Sequence, residues 1–262
     1  MTGTTSGSAS AVLHALAVYA MWTGATWLLE GRILTLQRPE AAADRMVYAV
    51  VANVLIGTLG SLWILRSLLR RGAMSRANGG FAGPARTAAG IAAGCILGIA
   101  FLVAQGAGMA DAIPAVNVFA QVLVVSAAEI LVCWSLVGGA VEASTARWKL
   151  AATICAIAGS AVLFGVYHFA HSPPFDEVGM VVRLTGVGVA TGAFFFVSRD
   201  LYGTLLFHNF LATYGVLQAL KASGKLDSLS VLQPRLLATA ASAIFLLAAF
   251  DLVWVRRVPQ RA

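Results

Sequence analysis

Long apolar stretches separated by short polar connections run through the whole chain. Each stretch is continuously apolar, which is typical of a helix rather than of a barrel strand, and approaches the ~20 residues that a helix needs to cross a ~30 Å hydrocarbon core. The eight stretches are 11–29, 47–65, 88–105, 115–141, 149–168, 178–197, 201–221 and 232–255. The pattern predicts an all-α polytopic membrane protein, built as a single bundle of about eight transmembrane helices.

Composition favours one transmembrane domain over residues 1–262. The chain is 59% hydrophobic and only 11% charged, which excludes an ordinary soluble globular domain. Residues 1–10 are rich in Ser, Thr and Gly and carry no basic residue, so we expect a flexible segment rather than the charged start of a signal peptide. The lipid bilayer is therefore the first expected partner.

The net charge of +7 comes from basic residues at the ends of the apolar stretches, so it predicts no nucleic-acid partner. Cytoplasmic loops of membrane proteins carry an excess of Lys and Arg. With the amino terminus inside, the cytoplasmic side holds eleven basic residues and the opposite side six. We therefore predict both termini on the cytoplasmic side, and we expect the membrane to be the bacterial inner (cytoplasmic) membrane.

Small residues recur inside the stretches, as Gly90, Ala93 and Gly94 do in the third one. In lipid, small residues let helix backbones approach closely, because packing replaces the hydrophobic effect as the driving force. The pattern predicts tightly packed helices.

Among the ionisable side chains of the apolar stretches, four stand out because a charged group at such a depth costs several kcal/mol. They are Glu129, His168, Arg183 and His208. Such groups usually face a bundle interior or a hydrated cavity and mark the functional site. They are therefore the first candidates for chemistry.

Local spacing suggests how these groups are held. Phe164 and His168 share a helix face at i, i+4, so the aromatic ring can pack against the imidazole and hold one orientation. His171 follows one turn later, at or beyond the helix end. Asn209 points ~100° away from His208, so the two cannot share one face.

One carboxylate and two imidazoles on three helices suit two kinds of chemistry. Glu129, His168 and His208 could bind a divalent metal such as zinc with an open position. Alternatively, Glu129 activates water while the imidazoles stabilise the developing oxyanion. The chain has no HExxH helix. Buried Glu, His and Arg side chains also suit a small transporter or proton pathway, and Glu129 could instead pair with Arg183 as a structural residue.

The order of these residues resembles the CPBP intramembrane proteases, also called the type II CAAX prenyl endopeptidase family. Its members have about eight spans and carry EExxxR, FxxxH and HxxxN motifs on three helices. The likeness covers roughly 115–220. The segment Phe164-Gly165-Val166-Tyr167-His168 matches the second motif in full.

The first and third motifs are matched in part. His208 matches the histidine of the third motif, and Ala212 stands where the family has asparagine. In the first motif one glutamate and the arginine are missing. If Glu129 is aligned with the first glutamate of the motif, the two places are occupied by Ile130 and Trp134. If it is aligned with the second glutamate, they are occupied by Ala128 and Cys133.

The resemblance implies an intramembrane peptidase that cuts a peptide or membrane protein within or beside the bilayer. Glu129 would be the base, and His168 and His208 would lie on the oxyanion or metal side. Phe164, His171 and Asn209 would support the site, and Arg183 would replace the missing arginine. The incomplete motifs also favour an alternative, a non-catalytic scaffold or accessory subunit that binds partner subunits of a membrane complex.

Overall fold

The structure is a computed structural model and describes residues 4–35, 38, 41–106 and 112–259. Eight long helices lie within these residues. They are α1 (Ala9–Gly31), α2 (Ala42–Arg70), α3 (Pro84–Ala104), α4 (Ala112–Ser144), α5 (Leu150–Ala170), α6 (Val178–Ser198), α7 (Leu201–Ala222) and α8 (Pro234–Val255). The described ranges contain no strand.

Seven of these helices are long and apolar enough to cross a membrane. The all-α, polytopic fold class is therefore confirmed. Helix α7, the seventh predicted stretch, is the exception in the described chain, although its 22 residues give it a comparable length. It is less apolar because it carries Thr204, His208, Asn209 and Thr213, all of which are buried inside the bundle.

The amino-terminal segment differs from its prediction. Helical turns begin at Thr4 and continue without interruption into α1. Residues 4–10, for which the sequence suggested a flexible segment, are therefore helical, and residues 1–3 lie outside the described ranges.

Helix α4 forms the centre of the bundle. Every residue from Ser126 to Ala140 is buried, and α1, α2, α5, α7 and α8 all pack against this helix. Such complete burial is compatible with a helix that is apolar on all sides. Immediately after Glu129 the hydrogen bonding widens to that of a π-helix, which runs over Ile130–Gly138.

Helices α3 and α7 approach each other through glycine. Gly90, Gly94 and Gly98 are spaced by four residues and are all buried. A Cβ atom at Gly94 would lie 2.3 Å from the carbonyl oxygen of Gly203, and a Cβ at Gly203 would lie 2.3 Å from that of Gly90. The close packing predicted for the third stretch is thus confirmed, and it places α7 beside α4.

Polar contacts fasten the end of the bundle where α7 begins. Arg199 donates hydrogen bonds from both terminal nitrogens to the buried carboxylate of Glu142. The same carboxylate accepts a hydrogen bond from the side-chain amide of Asn78 at 2.9 Å. Asp200 caps α7 by accepting the Gly203 N–H at 2.6 Å. Burial raises the pKa of Asp200, although hydrogen bonds from Gly203 and Thr87 oppose that shift. These contacts set the start of α7 and therefore the depth of the residues that follow.

We expect Gly203→Ala to destabilise the protein by about 1–3 kcal/mol, because the added methyl group has no space against α3. The matched control is Gly186→Ala on α6, where an added Cβ meets no atom within 4 Å. That change should be neutral or slightly stabilising, since alanine favours helix over glycine. Thermal unfolding of both variants in detergent checks the difference, and a Gly203→Ala variant as stable as the control would contradict this packing.

Candidate functional site

Three helices bring one carboxylate and two imidazoles together. His208 Nε2 on α7 lies 2.9 Å from Glu129 Oε2 on α4. His168 Nε2, at the end of α5, lies 3.8 Å from the other carboxylate oxygen, Oε1. The exposed fractions of Glu129, His168 and His208 are 4%, 7% and 1%. The three residues therefore form one buried cluster, although 79 residues separate Glu129 from His208.

Both ring nitrogens of His208 have partners. An ionised carboxylate only accepts hydrogen bonds, so His208 Nε2–H donates to Glu129. The neutral ring then accepts at Nδ1 from the hydroxyl of Thr191 on α6, at 2.9 Å. The rings of Trp134 and Phe164 pack around the imidazole, with centroid separations of 5.5 and 5.2 Å. His208 is thus held in one orientation and fixes one oxygen of Glu129.

His168 is oriented from the opposite side. Its Nδ1 lies 2.8 Å from the carbonyl oxygen of Phe164, so Nδ1–H donates and the neutral ring leaves Nε2 as an acceptor. The Phe164 ring meets the imidazole edge-on at 4.7 Å, as the i, i+4 spacing predicted. Nε2 therefore faces Glu129 Oε1, beyond direct hydrogen-bonding distance.

Asn209 supports the cluster from outside it. Its amide nitrogen donates to the carbonyl oxygen of Phe119 at 3.0 Å, and its amide oxygen accepts from Ser126 at 2.9 Å. Both partners lie on α4, and Ser126 precedes Glu129 by one helical turn. Although Asn209 and His208 point in different directions, as predicted, both connect α7 to α4. Asn209 thus sets the register between the helices that carry Glu129 and His208.

A second carboxylate–imidazole pair, which we did not predict, adjoins the first cluster. Glu30, at the end of α1, is fully buried and lies 3.1 Å from His171 Nδ1. It also accepts hydrogen bonds from the amide and the hydroxyl of Ser172. The His171 ring stacks on His168, with centroids 5.3 Å apart and an angle of 26° between the ring planes.

Glu30 escaped prediction because it stands one residue beyond the first apolar stretch and two before Arg32. A carboxylate in that position is typical of a solvated helix end. The chain instead turns it inward, where the segment after α5 supplies Ser172 and His171 as partners. The available signal was the apolar run Trp27–Leu29 directly before it, which places Glu30 at the end of an apolar helix.

A cavity of about 630 Å³ lies against both clusters. Glu129, His168, His171 and His208 line one part of it, and apolar side chains of α4, α6 and α7 line most of the rest. Ala212 also lies on its wall. The carboxylate and the three imidazoles thus lie together on the wall of a chamber that is mostly, but not entirely, apolar.

Arg183 lies on the wall of the same cavity but is exposed. In the described part of the chain it forms no ion pair with Glu129, whose salt-bridge partners are His168 and His208. The expected substitution of Arg183 for the missing arginine therefore finds no support. A long side chain near a helix end can instead extend its charge toward the membrane surface.

The residues do not fit a metal site as they are arranged. Throughout the described ranges, no three His, Cys, Asp or Glu side chains are placed to hold a metal ion. Within the cluster, His208 Nε2 carries the proton that binds Glu129, so only Glu129 Oε1 and His168 Nε2 remain as ligands.

Comparison with known proteins adds no relative. The chain matches no family model, no curated protein and no solved structure.

Proposed function

We propose that this protein is an intramembrane peptidase of the CPBP type, in which Glu129 activates water. The observation that carries the proposal is the position of Glu129, 2.9 Å from His208 and 3.8 Å from His168 on the wall of one cavity. A carboxylate within hydrogen-bonding reach of the water it deprotonates is the first geometric requirement of general base catalysis.

The water has a defined place in this proposal. Glu129 Oε1 and His168 Nε2 are both acceptors and lie 3.8 Å apart, so one water can donate a hydrogen bond to each at ~2.8 Å. Its oxygen lone pairs then point away from both groups, toward a substrate carbonyl. As the oxygen attacks that carbon, Glu129 takes one proton from the water. When the C–N bond breaks, Glu129 returns this proton to the leaving nitrogen.

His208 acts in this scheme as a positioning residue rather than as an oxyanion donor. Its only ring proton already binds Glu129 Oε2, and Thr191 occupies its other nitrogen. Holding Oε2 in this way leaves Oε1 free for the water. The role differs from the oxyanion role that the family resemblance implies, because the hydrogen bonds of the imidazole are already used.

The cavity favours an apolar peptide or a membrane-protein segment as substrate. Val122, Leu184, Val187 and Leu211 are among the side chains that a substrate would contact. A buried carboxylate at this depth suits cleavage within or beside the bilayer. The distribution of basic residues supports a cytoplasmic location for both termini, and we propose the bacterial inner membrane.

A scaffold or accessory role remains the competing proposal. Ala212 supports it, since this residue faces the cavity without a hydrogen-bond donor at the position of the family's asparagine. A scaffold would need no water within reach of Glu129, however, whereas both histidines lie within one water of the carboxylate. The geometry therefore favours the peptidase.

We expect Glu129→Gln to lower the turnover rate by about 10²–10⁴-fold, because the amide cannot accept the proton of water. His168→Ala and His208→Ala should also lower it, through loss of the water contact and of the held carboxylate. The measurement uses purified protein in liposomes with a library of apolar peptides, and mass spectrometry of the new peptide ends.

The matched control is Glu177→Gln, which changes an exposed carboxylate in the connection before α6. It should leave cleavage unchanged. If the native protein and all four variants behave alike, the peptidase proposal fails and the scaffold takes its place.

A second expectation concerns Ala212. Ala212→Asn adds a hydrogen-bond donor on the cavity wall, and one oxyanion donor is worth about 10²–10³-fold in rate. We expect turnover to increase by tenfold or more in the same assay, while Ala212→Leu, which adds volume without a donor, should not increase it. Equal turnover for Ala212→Asn and Ala212→Leu would show that this position does not act on the substrate carbonyl.

A further inference from the structure

The three histidines of the cavity differ in what their hydrogen bonds leave available. His208 has partners at both ring nitrogens. His168 donates its proton to the Phe164 carbonyl and offers only an acceptor toward Glu129. Neither ring, in these states, can donate a hydrogen bond to a substrate carbonyl. The proposed reaction therefore lacks an oxyanion donor in the Glu129 cluster.

His171 has the required arrangement. Its Nδ1 is held by Glu30, while its Nε2 is buried and has no hydrogen-bond partner among the residues that the structure describes. His171 has an exposed fraction of only 8%, and it lines the cavity. A buried ring nitrogen without a partner is costly unless another molecule satisfies it.

The surroundings of His171 hold the ring in place. Tyr167 meets it edge-on at 4.8 Å, Tyr48 at 6.2 Å and Phe175 at 6.5 Å, and His168 stacks on one face. Glu30 is the only carboxylate that hydrogen-bonds to the ring in the described ranges. A fixed donor costs little reorganisation when charge develops on a substrate, which is the requirement for an oxyanion site.

We infer that His171 is a catalytic residue of the proposed peptidase and donates a hydrogen bond from Nε2–H to the carbonyl oxygen of the substrate. Glu30 is its positioning residue. In this proposal the His171 ring carries a proton on both nitrogens, and the carboxylate of Glu30, 3.1 Å from Nδ1, balances its charge. The Glu30–His171 pair is then neutral overall, which suits a buried site, and its proton stays on His171 throughout the reaction. The inference rests on the proposed function.

Two substitutions separate a donor from a structural residue. In His171→Asn, the side-chain amide nitrogen can occupy the position of Nδ1 and keep a hydrogen bond to Glu30. The shorter side chain then has no donor at the position of Nε2. The longer glutamine can place its amide near Nε2 and still donate toward the cavity. We expect His171→Asn to lower kcat by about 10²–10³-fold with little change in KM. His171→Gln should stay within about tenfold of the native kcat.

The experiment compares both variants with the native protein and Glu129→Gln in liposomes, with apolar peptides as substrates and thermal unfolding as a parallel measurement. If a folded His171→Asn variant keeps the native kcat while Glu129→Gln is inactive, the role of His171 is overturned and the peptidase proposal stands. Equal losses for Asn and Gln, together with lower thermal stability in both, would make His171 structural. Unchanged cleavage in Glu129→Gln would instead remove the proposed function itself.

If His171→Asn does not fold, Glu30→Gln provides the second test, since it leaves the ring unchanged. Loss of the carboxylate charge should lower kcat by about tenfold or more, because the imidazolium loses its counter-charge. Glu177→Gln, which removes an exposed carboxylate from the connection that follows His171, should keep kcat near the native value. Native kcat in a folded Glu30→Gln variant would overturn the inference.

Discussion

The hydrogen bond between Glu129 and His208 is the contact around which the bundle is organised. A carboxylate in the buried centre of α4 is largely removed from bulk water, and leaving one partner of a buried pair alone typically costs about 3–5 kcal/mol. The partner comes from α7, so the two helices must lie at one fixed depth relative to each other. Asn209 connects the same two helices one residue further on, through Ser126 and Phe119. Polar contacts thus specify the alignment of α4 and α7, which uniform apolar packing would leave open.

Glycine packing makes this alignment sterically possible. At Gly94 and Gly203 the backbones of α3 and α7 contact each other directly, so α7 is held closely against α3. The same helix must carry Thr204, His208, Asn209 and Thr213 inward, and for this reason it is the least lipid-like of the long helices in the described chain. Its polarity is therefore a consequence of its place in the site.

In the proposed reaction the two acid–imidazole pairs have different roles. Glu129 is positioned by His208 and faces His168 across a distance suited to one water, which gives a base. Glu30 holds His171 with one nitrogen free, which gives a donor. The stacked rings of His168 and His171 bring the base and the donor to neighbouring places on one cavity wall. Missing family residues at Ala212 and in the first motif are thus balanced, in this proposal, by a second pair from outside the motifs.

The sequence by itself determined the helices and the first half of the site. The length of an apolar stretch is a local property, so the eight long helices could be predicted from it. Glu129, His168 and His208 could be selected because an ionisable group inside an apolar stretch is costly unless it has a polar partner. Only the tertiary structure decided which partners those groups have. Glu30 turned inward because a segment 142 residues away supplies Ser172, and Arg183 remained apart from Glu129 although both lie on one cavity. The helical start at Thr4 was missed because Ser, Thr and Gly have weak helix propensity, which continuation of α1 overrides. Partner choice depends on the relative depth and rotation of helices, and no spacing along a single stretch carries that information.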